Sequence, residues 1–118
     1  MNSVFYVTVV LEYCQSEHFR PSCADDEIIM MRRARYGRLR LGRCVTEDFG
    51  HLGCTNNVIE DLDSACSGRR KCDIRVDETT FPRVKLCHND LKSYLEASYQ
   101  CLKSKLLNNY IPSVEKRF

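Results

Sequence analysis

A chain of 118 residues with 18 basic and 16 acidic side chains, net charge +2, has room for one hydrophobic core and no surplus for a second. So slight a net charge excludes a chain built overall for polyanions, nucleic acid included, and any basic character is local. No stretch approaches the roughly 20 apolar residues of a membrane span, so direct membrane insertion is not expected.

The opening "MNSVFYVTVVLEY" is rich in β-branched and aromatic residues from Val4 to Tyr13, which predicts a strand about ten residues long. It has no positive flank before the apolar run and no small-residue cleavage site after it, so it does not read as a signal peptide. Any leader or anchor is then expected on a longer parent chain, with Met1 a fragment start. "EIIMMRRARYGRLRL", from Glu27, predicts a second strand that breaks at Gly37 and again at Gly42. Alternation puts Ile28, Met30 and Ala34 on one face, with Arg32 the exception among them, and Ile29, Met31, Arg33 and Arg35 on the other. Arg32, Arg33, Arg35, Arg38, Arg40 and Arg43 crowd this stretch. They form either a patch for heparan sulfate or a solvated setting. Alternation divides them between two faces and nearby acids dilute their field, which favours the second reading.

"TNNVIEDLDSACSGRRKC" predicts the main helix. Val58, Ile59, Leu62, Ala65 and Cys66 fall on one stripe, Asn56 or Asn57 stands where a cap belongs, and Gly68 is placed to end it. Glu60, Asp61 and Asp63 suit its first half through the helix dipole. "CDIRVDE" follows as a strand with Ile74 and Val76 inward, then "TTFPRVKLCHND" as a loop punctuated by Pro82. "LKSYLEASYQCL" is a final strand with Tyr94, Leu95 and Tyr99 as its apolar candidates, a helix being the alternative there. Beyond Cys101, "KSKLLNNYIPSVEKRF" lies outside the cysteine frame and reads as a linker or tail.

Eight cysteines, an even set spread over the chain, are the mark of a fold stapled by disulfides in an oxidising compartment. Zinc is a poor fit: no Cys-x2-Cys or Cys-x4-Cys pair occurs, and His18, His51 and His88 are scattered singly. No metal or other cofactor is expected. Spacing alone leaves on the order of a hundred full pairings open.

The order strand, loop, strand with "ARYGR", helix, strand, long loop, strand, threaded with cysteines, resembles the galactose/rhamnose-binding lectin domain of the SUEL type. That domain is found in secreted rhamnose-binding lectins and in the extracellular part of latrophilin-like adhesion receptors. The resemblance runs from about Leu11 to Leu102 and rests on several pieces. They are "CQSEHFRPSC", the distance from Cys23 to "ARYGR" where the family has A-N-Y-G-R, then Cys44, "CSGRRKC" and the closing "YLEASYQC". It implies an α+β fold, a small disulfide-stapled antiparallel β-sandwich with one main helix and long structured loops. It places the lectin domain at 1–103 and the tail at 104–118. It also implies the pairing Cys14–Cys44, Cys23–Cys101, Cys54–Cys87 and Cys66–Cys72.

A sugar site must hold pairs of hydroxyls, each donor and acceptor, against competing water. Carboxylates accept from them, lysine donates back, and an aromatic ring covers the apolar face of the sugar. The family does this with an acid just after its first cysteine, the tyrosine of Y-G-R, and a block D-P-C-x-G-T-x-K-Y-L. Here the acid's place holds Gln15, with Glu17 two residues on, and Tyr36 matches the tyrosine. The last block departs most, reading "VKLCHNDLKSYL". Lys85 stands at the aspartate, and Asn89 and Asp90 replace glycine and threonine. The lysine falls on Lys92 counted from Cys87, or on Ser93 counted back from Cys101. The sugar-binding set implied is Gln15, Glu17, Tyr36, Asp90 and Lys92. Beside it stand plainer readings: Tyr36 as a half-buried strand aromatic, Glu17 and Lys92 as surface charges.

The expected function is a non-catalytic carbohydrate-binding module of a secreted protein or an ectodomain, with a glycan or glycoprotein as partner. The alternative is a lectin scaffold that has lost its sugar pocket and binds a cell-surface protein or heparan sulfate. An enzyme is the weakest reading, since no Ser/His/Asp order or paired acids stand out.

Overall fold

The computed structural model describes residues 9–48, 50, 52–81, 87 and 91–104. In chain order the elements are β1 (Leu11–Tyr13), β2 (His18–Phe19), β3 (Glu27–Arg38), β4 (Cys54–Asn57), α1 (Ile59–Cys66), β5 (Ile74–Arg75) and β6 (Tyr94–Lys103). All strand pairs are antiparallel: one sheet has the order β1-β6-β3-β4, and β2 pairs with β5 in a second, smaller one. Helix α1 packs on β3. Disulfides Cys14–Cys44, Cys23–Cys101, Cys54–Cys87 and Cys66–Cys72 staple the whole, the pairing that the family resemblance implies. This is the disulfide-stapled α+β fold expected.

The long strand β3 corrects the simple alternation. Met31 pairs with Tyr99 but Arg33 with Ser98, so Arg32 is an extra residue, a β-bulge. A bulge shifts the phase of every side chain that follows it. Ile29 and Met31 before it therefore share a face with Ala34 and Tyr36 after it, and all four join the main core. Ile28 and Met30 point the other way and form a small separate cluster with Leu102. Arg33 and Arg35 also take that outer face, side by side rather than divided.

The final strand is a strand, not a helix, and lies in the middle of its sheet between β1 and β3. Residues Tyr94 to Ser98 are all buried, because both faces of this central strand are covered. Leu95 and Ala97 meet the core with Phe19, Leu62, Val76 and Phe81. Over the opposite face folds the chain after Gly37: the Arg40 amide donates to the Tyr94 hydroxyl at 3.2 Å, and the Cys44 amide to Glu12 Oε1 at 3.4 Å.

The helix is shorter than its sequence signal. Residues 55–57 belong to β4 because they pair with Arg35, Tyr36 and Gly37. Helix α1 begins at Ile59 after Val58, and Asn57 Oδ1 accepts from the Ile59 amide at 2.9 Å. Leu62 and Cys66 are its buried residues, and Gly68, at φ 86, lies just beyond its end. Of the expected N-terminal strand, β1 is the described part, Val9 and Val10 preceding it outside the sheet. Residues 1–8 and 105–118 lie outside the described residues, and with them nearly all of the expected tail.

Candidate functional site

Tyr36, Gly37 and Arg38 end β3, and each has a different task. Tyr36 is 1% exposed and stacks on Phe81 with ring centroids 5.0 Å apart. Burial, with Glu78 and Asp77 adding to it, pushes its phenol up to about 12. Its hydroxyl has no hydrogen-bond partner among the described residues. Gly37 takes φ +152, and a Cβ there would lie 2.1 Å from the Cys54 carbonyl oxygen and 2.8 Å from Thr55 Cα. Only glycine lets β4 approach this closely.

Arg38 is in phase with Tyr36 and is 3% exposed. Its Nη1 donates to the Lys92 carbonyl at 2.8 Å and its Nη2 to the Glu47 carbonyl at 2.9 Å. One buried guanidinium thus ties the loop before β6 to the loop after Cys44. Between those loops opens a pocket of about 210 Å³, lined by Arg38, Cys44, Val45, Thr46, Glu47, Leu91 and Lys92. Lys92 is exposed and stands two residues before β6, so strand phase does not govern where it points. Among the described residues its ammonium makes no ion pair. Lys92, Glu47 and Thr46 supply a cation, a carboxylate and a hydroxyl to one small cavity, the mixture that adjacent hydroxyls demand.

The Cys14–Cys44 disulfide brings a second segment beside this loop. Ser16 takes φ 74, which closes a tight turn with the Glu17 amide donating to the Cys14 carbonyl at 2.9 Å. Glu17 Oε1 then accepts from the Cys14 amide at 2.7 Å. Arg43 donates to both carboxylate oxygens, at 2.7 and 2.8 Å. These bonds, Arg43 first and the Cys14 amide second, lower the Glu17 carboxyl to about 2. Gln15, half-buried in the same turn, makes no side-chain hydrogen bond among the described residues.

Of the five expected sugar-binding residues, Lys92 lines the pocket, Gln15 and Glu17 lie on the turn bridged to it, and Tyr36 sits in the core and not in the pocket wall. Asp90, like Lys85, Asn89 and His88, lies outside the described residues. Arg38 is the residue that sequence reasoning left among the solvated arginines. Its signal was present: it follows Tyr36 by two in a strand, on the face where Tyr36 is buried. The other arginines are mostly used internally too. Arg35 donates to Glu96 Oε1 at 3.0 Å, Arg33 lies 3.6 Å from the same oxygen, and Arg40 binds Oε2. Burial opposes ionisation of Glu96, yet Arg40 and Arg35 outweigh it and hold its carboxyl below the usual range.

The sequence profile of the D-galactoside/L-rhamnose binding SUEL lectin domain matches residues 21–101. The chain belongs to the SUEL lectin family. Latrophilin-like protein 1 of Caenorhabditis elegans is 28% identical to this lectin domain over 99 residues, which are 80% of this chain and 10% of that protein. The chain therefore spans about a tenth of the curated relative it matches. In the lectin domain, Y-G-R works as a unit: a core anchor, a close approach of two strands, and a clamp on the two loops that form the pocket.

Proposed function

We propose that this lectin domain is a non-catalytic recognition module for galactose- or rhamnose-type sugars on glycoproteins, carried on a secreted protein or an ectodomain. Four disulfides and the family support an oxidising, extracellular setting. The observation that carries the sugar reading is the pocket at Lys92, braced from beneath by Arg38. Its volume is about 210 Å³, below the roughly 300–1,000 Å³ of pockets for drug-sized ligands, which suits one sugar ring. In this reading Lys92 donates to a hydroxyl pair, Gln15 and Glu17 supply acceptors from the flanking turn, and Asp90 is a further acceptor. Tyr36 serves from behind, by holding the end of β3 on which Arg38 stands. The lectin domain ends near residue 103, and 104–118 is a linker or tail.

Titration of isotope-labelled protein with free L-rhamnose and D-galactose tests this. Shifts should appear at Thr46, Glu47, Leu91 and Lys92 and vanish in Lys92→Ala. An unperturbed spectrum at millimolar sugar, with all four disulfides intact, refutes it. One observation favours the other reading, a scaffold turned to a protein partner: Glu17 is already engaged by Arg43 and the Cys14 amide. Capture of a cell-surface protein that competing sugar leaves untouched would decide for that reading.

A further inference from the structure

A groove of about 680 Å³, apart from the pocket at Lys92, is lined by residues of the segments 20–22 and 69–74 together with Ala65. It shares no lining residue with the first pocket. Its accessible apolar surface comes from the half-buried Ala65 and Ile74, Pro21 being fully buried, and its charge from Arg20, Arg69, Lys71 and Asp73. Asp73 is already held by His18 at 2.6 Å and by Arg20 at 3.2 Å. Arg69 and Lys71 are different: both are exposed, and among the described residues neither side chain has a hydrogen bond or ion pair. Arg70 between them turns away to Asp25, at 2.8 Å. Two cations with no partner among the described residues therefore line a groove whose carboxylate, Asp73, is engaged by His18 and Arg20.

The walls are preorganised. Ser22 and Lys71 form an isolated antiparallel bridge, flanked by Cys23 N–H to the Arg70 carbonyl at 2.9 Å and Cys72 N–H to the Pro21 carbonyl at 3.2 Å. Cys66–Cys72 fixes one wall and Cys23–Cys101 the other. A ligand meeting such walls has little ordering cost to offset. The same bonds argue against an extended peptide: the Cys23 and Cys72 amides are already bonded to the neighbouring segment, and Pro21 has none.

We propose that this groove is a second binding site, for an anionic sugar whose sulfate or carboxylate is held by Arg69 and Lys71 while its ring lies on Ala65 and Ile74. A pyranose offers an apolar face and a charged substituent together, which matches an apolar floor edged by cations. The site is independent of the neutral-sugar pocket at Lys92 and stands or falls separately from it.

The test is a chemical-shift titration of the full, disulfide-intact chain with a sulfated heparin tetrasaccharide, with sialyllactose, with neutral lactose and with a polyglutamate peptide. Shifts at 20–22 and 69–74 with either anionic sugar support the site and tell sulfate from carboxylate. Arg69→Ala combined with Lys71→Ala should weaken that binding by about tenfold or more. Arg69→Lys with Lys71→Arg should largely keep it, and Arg32→Ala with Arg33→Ala should leave it unchanged. The proposal is overturned if neither anionic sugar shifts these residues, if the Arg32/Arg33 variant is the one that loses binding, or if polyglutamate binds the groove as tightly. Shifts confined to Thr46, Glu47 and Lys92 would leave the first pocket standing and remove this one.

Discussion

Replacing Glu96 by glutamine removes one charge from the centre of the arginine cluster while keeping its shape. Glu96 is 2% exposed and faces Arg33, Arg35 and Arg40, so the variant leaves three guanidinium groups converging on an amide. Removing one partner of a fully buried ion pair costs about 3–5 kcal/mol. These arginine side chains are 31 to 52% exposed, so water screens part of the repulsion. The glutamine oxygen also keeps one acceptor in place. A loss of about 2 kcal/mol at neutral pH follows, or roughly 6–12 °C in Tm for a domain of this size. The effect must depend on pH. Because the folded Glu96 carboxyl is held below its ordinary value of 4.5, its stabilisation is full above that pH and fades as pH falls through the folded value. Thermal melts of native and Glu96→Gln protein without reductant, from neutral to strongly acid buffer, measure both. A loss under about 0.5 kcal/mol at neutral pH, the range of an ordinary surface substitution, would refute the reasoning. So would a gap between the two proteins that stays constant into acid.

Other outcomes follow from the same structure. Gly37→Ala places a methyl 2.1 Å from a backbone oxygen that cannot step aside, so a loss of about 3 kcal/mol or a failure to form the Cys54–Cys87 bridge is expected, read by denaturation and disulfide mapping. Tyr36→Phe should change stability by less than about 0.5 kcal/mol in denaturant, because the hydroxyl it removes has no partner among the described residues; a larger loss would reveal a bond outside them. Cys23–Cys101 spans 78 residues and Cys66–Cys72 only 6, so serine pairs should cost about 4.5 and about 2.4 kcal/mol respectively, measured by urea denaturation. Equal losses would contradict the chain-entropy account.

Much of this was written locally. The stripe from Val58 to Cys66 and the β-rich run from Glu27 are patterns within a few residues, and the cysteine order carried the family frame. The bulge was not legible, because nothing in "MMRRAR" marks Arg32 as extra; pairing with Tyr99 and Ser98, far along the chain, decides it. That one residue settles which face Tyr36 and Arg38 occupy. The fate of the arginines was hidden for the same reason. Arg35 and Glu96 are 61 residues apart and Arg43 and Glu17 are 26 apart, so the acids that pair with these arginines are not the nearby ones expected to dilute their field. Arg38 is the instructive case: a charged residue is read as solvated, yet it stands two residues after Tyr36 and shares its buried face whatever happens at the bulge.

The Cys23–Cys101 disulfide has a mechanical meaning. Leu11 pairs with Ala97 and β6 runs on to Lys103, so a pull applied at Val9 and Ser104 acts on neighbouring strands at one end of the sheet. The shortest covalent route between those points runs from Val9 to Cys23, crosses to Cys101 and leaves. Everything from residue 24 to residue 100, with Arg38, Arg69, Lys71 and Lys92 among them, hangs from that route as an unloaded loop, while Gln15, Glu17 and residues 20–22 lie on the loaded stretch. Under tension the chain can lengthen by no more than about 20 residues of slack, roughly 70 Å fully extended, before covalent bonds carry the load. A pull at those two points therefore leaves the residues between Cys23 and Cys101 out of the line of force.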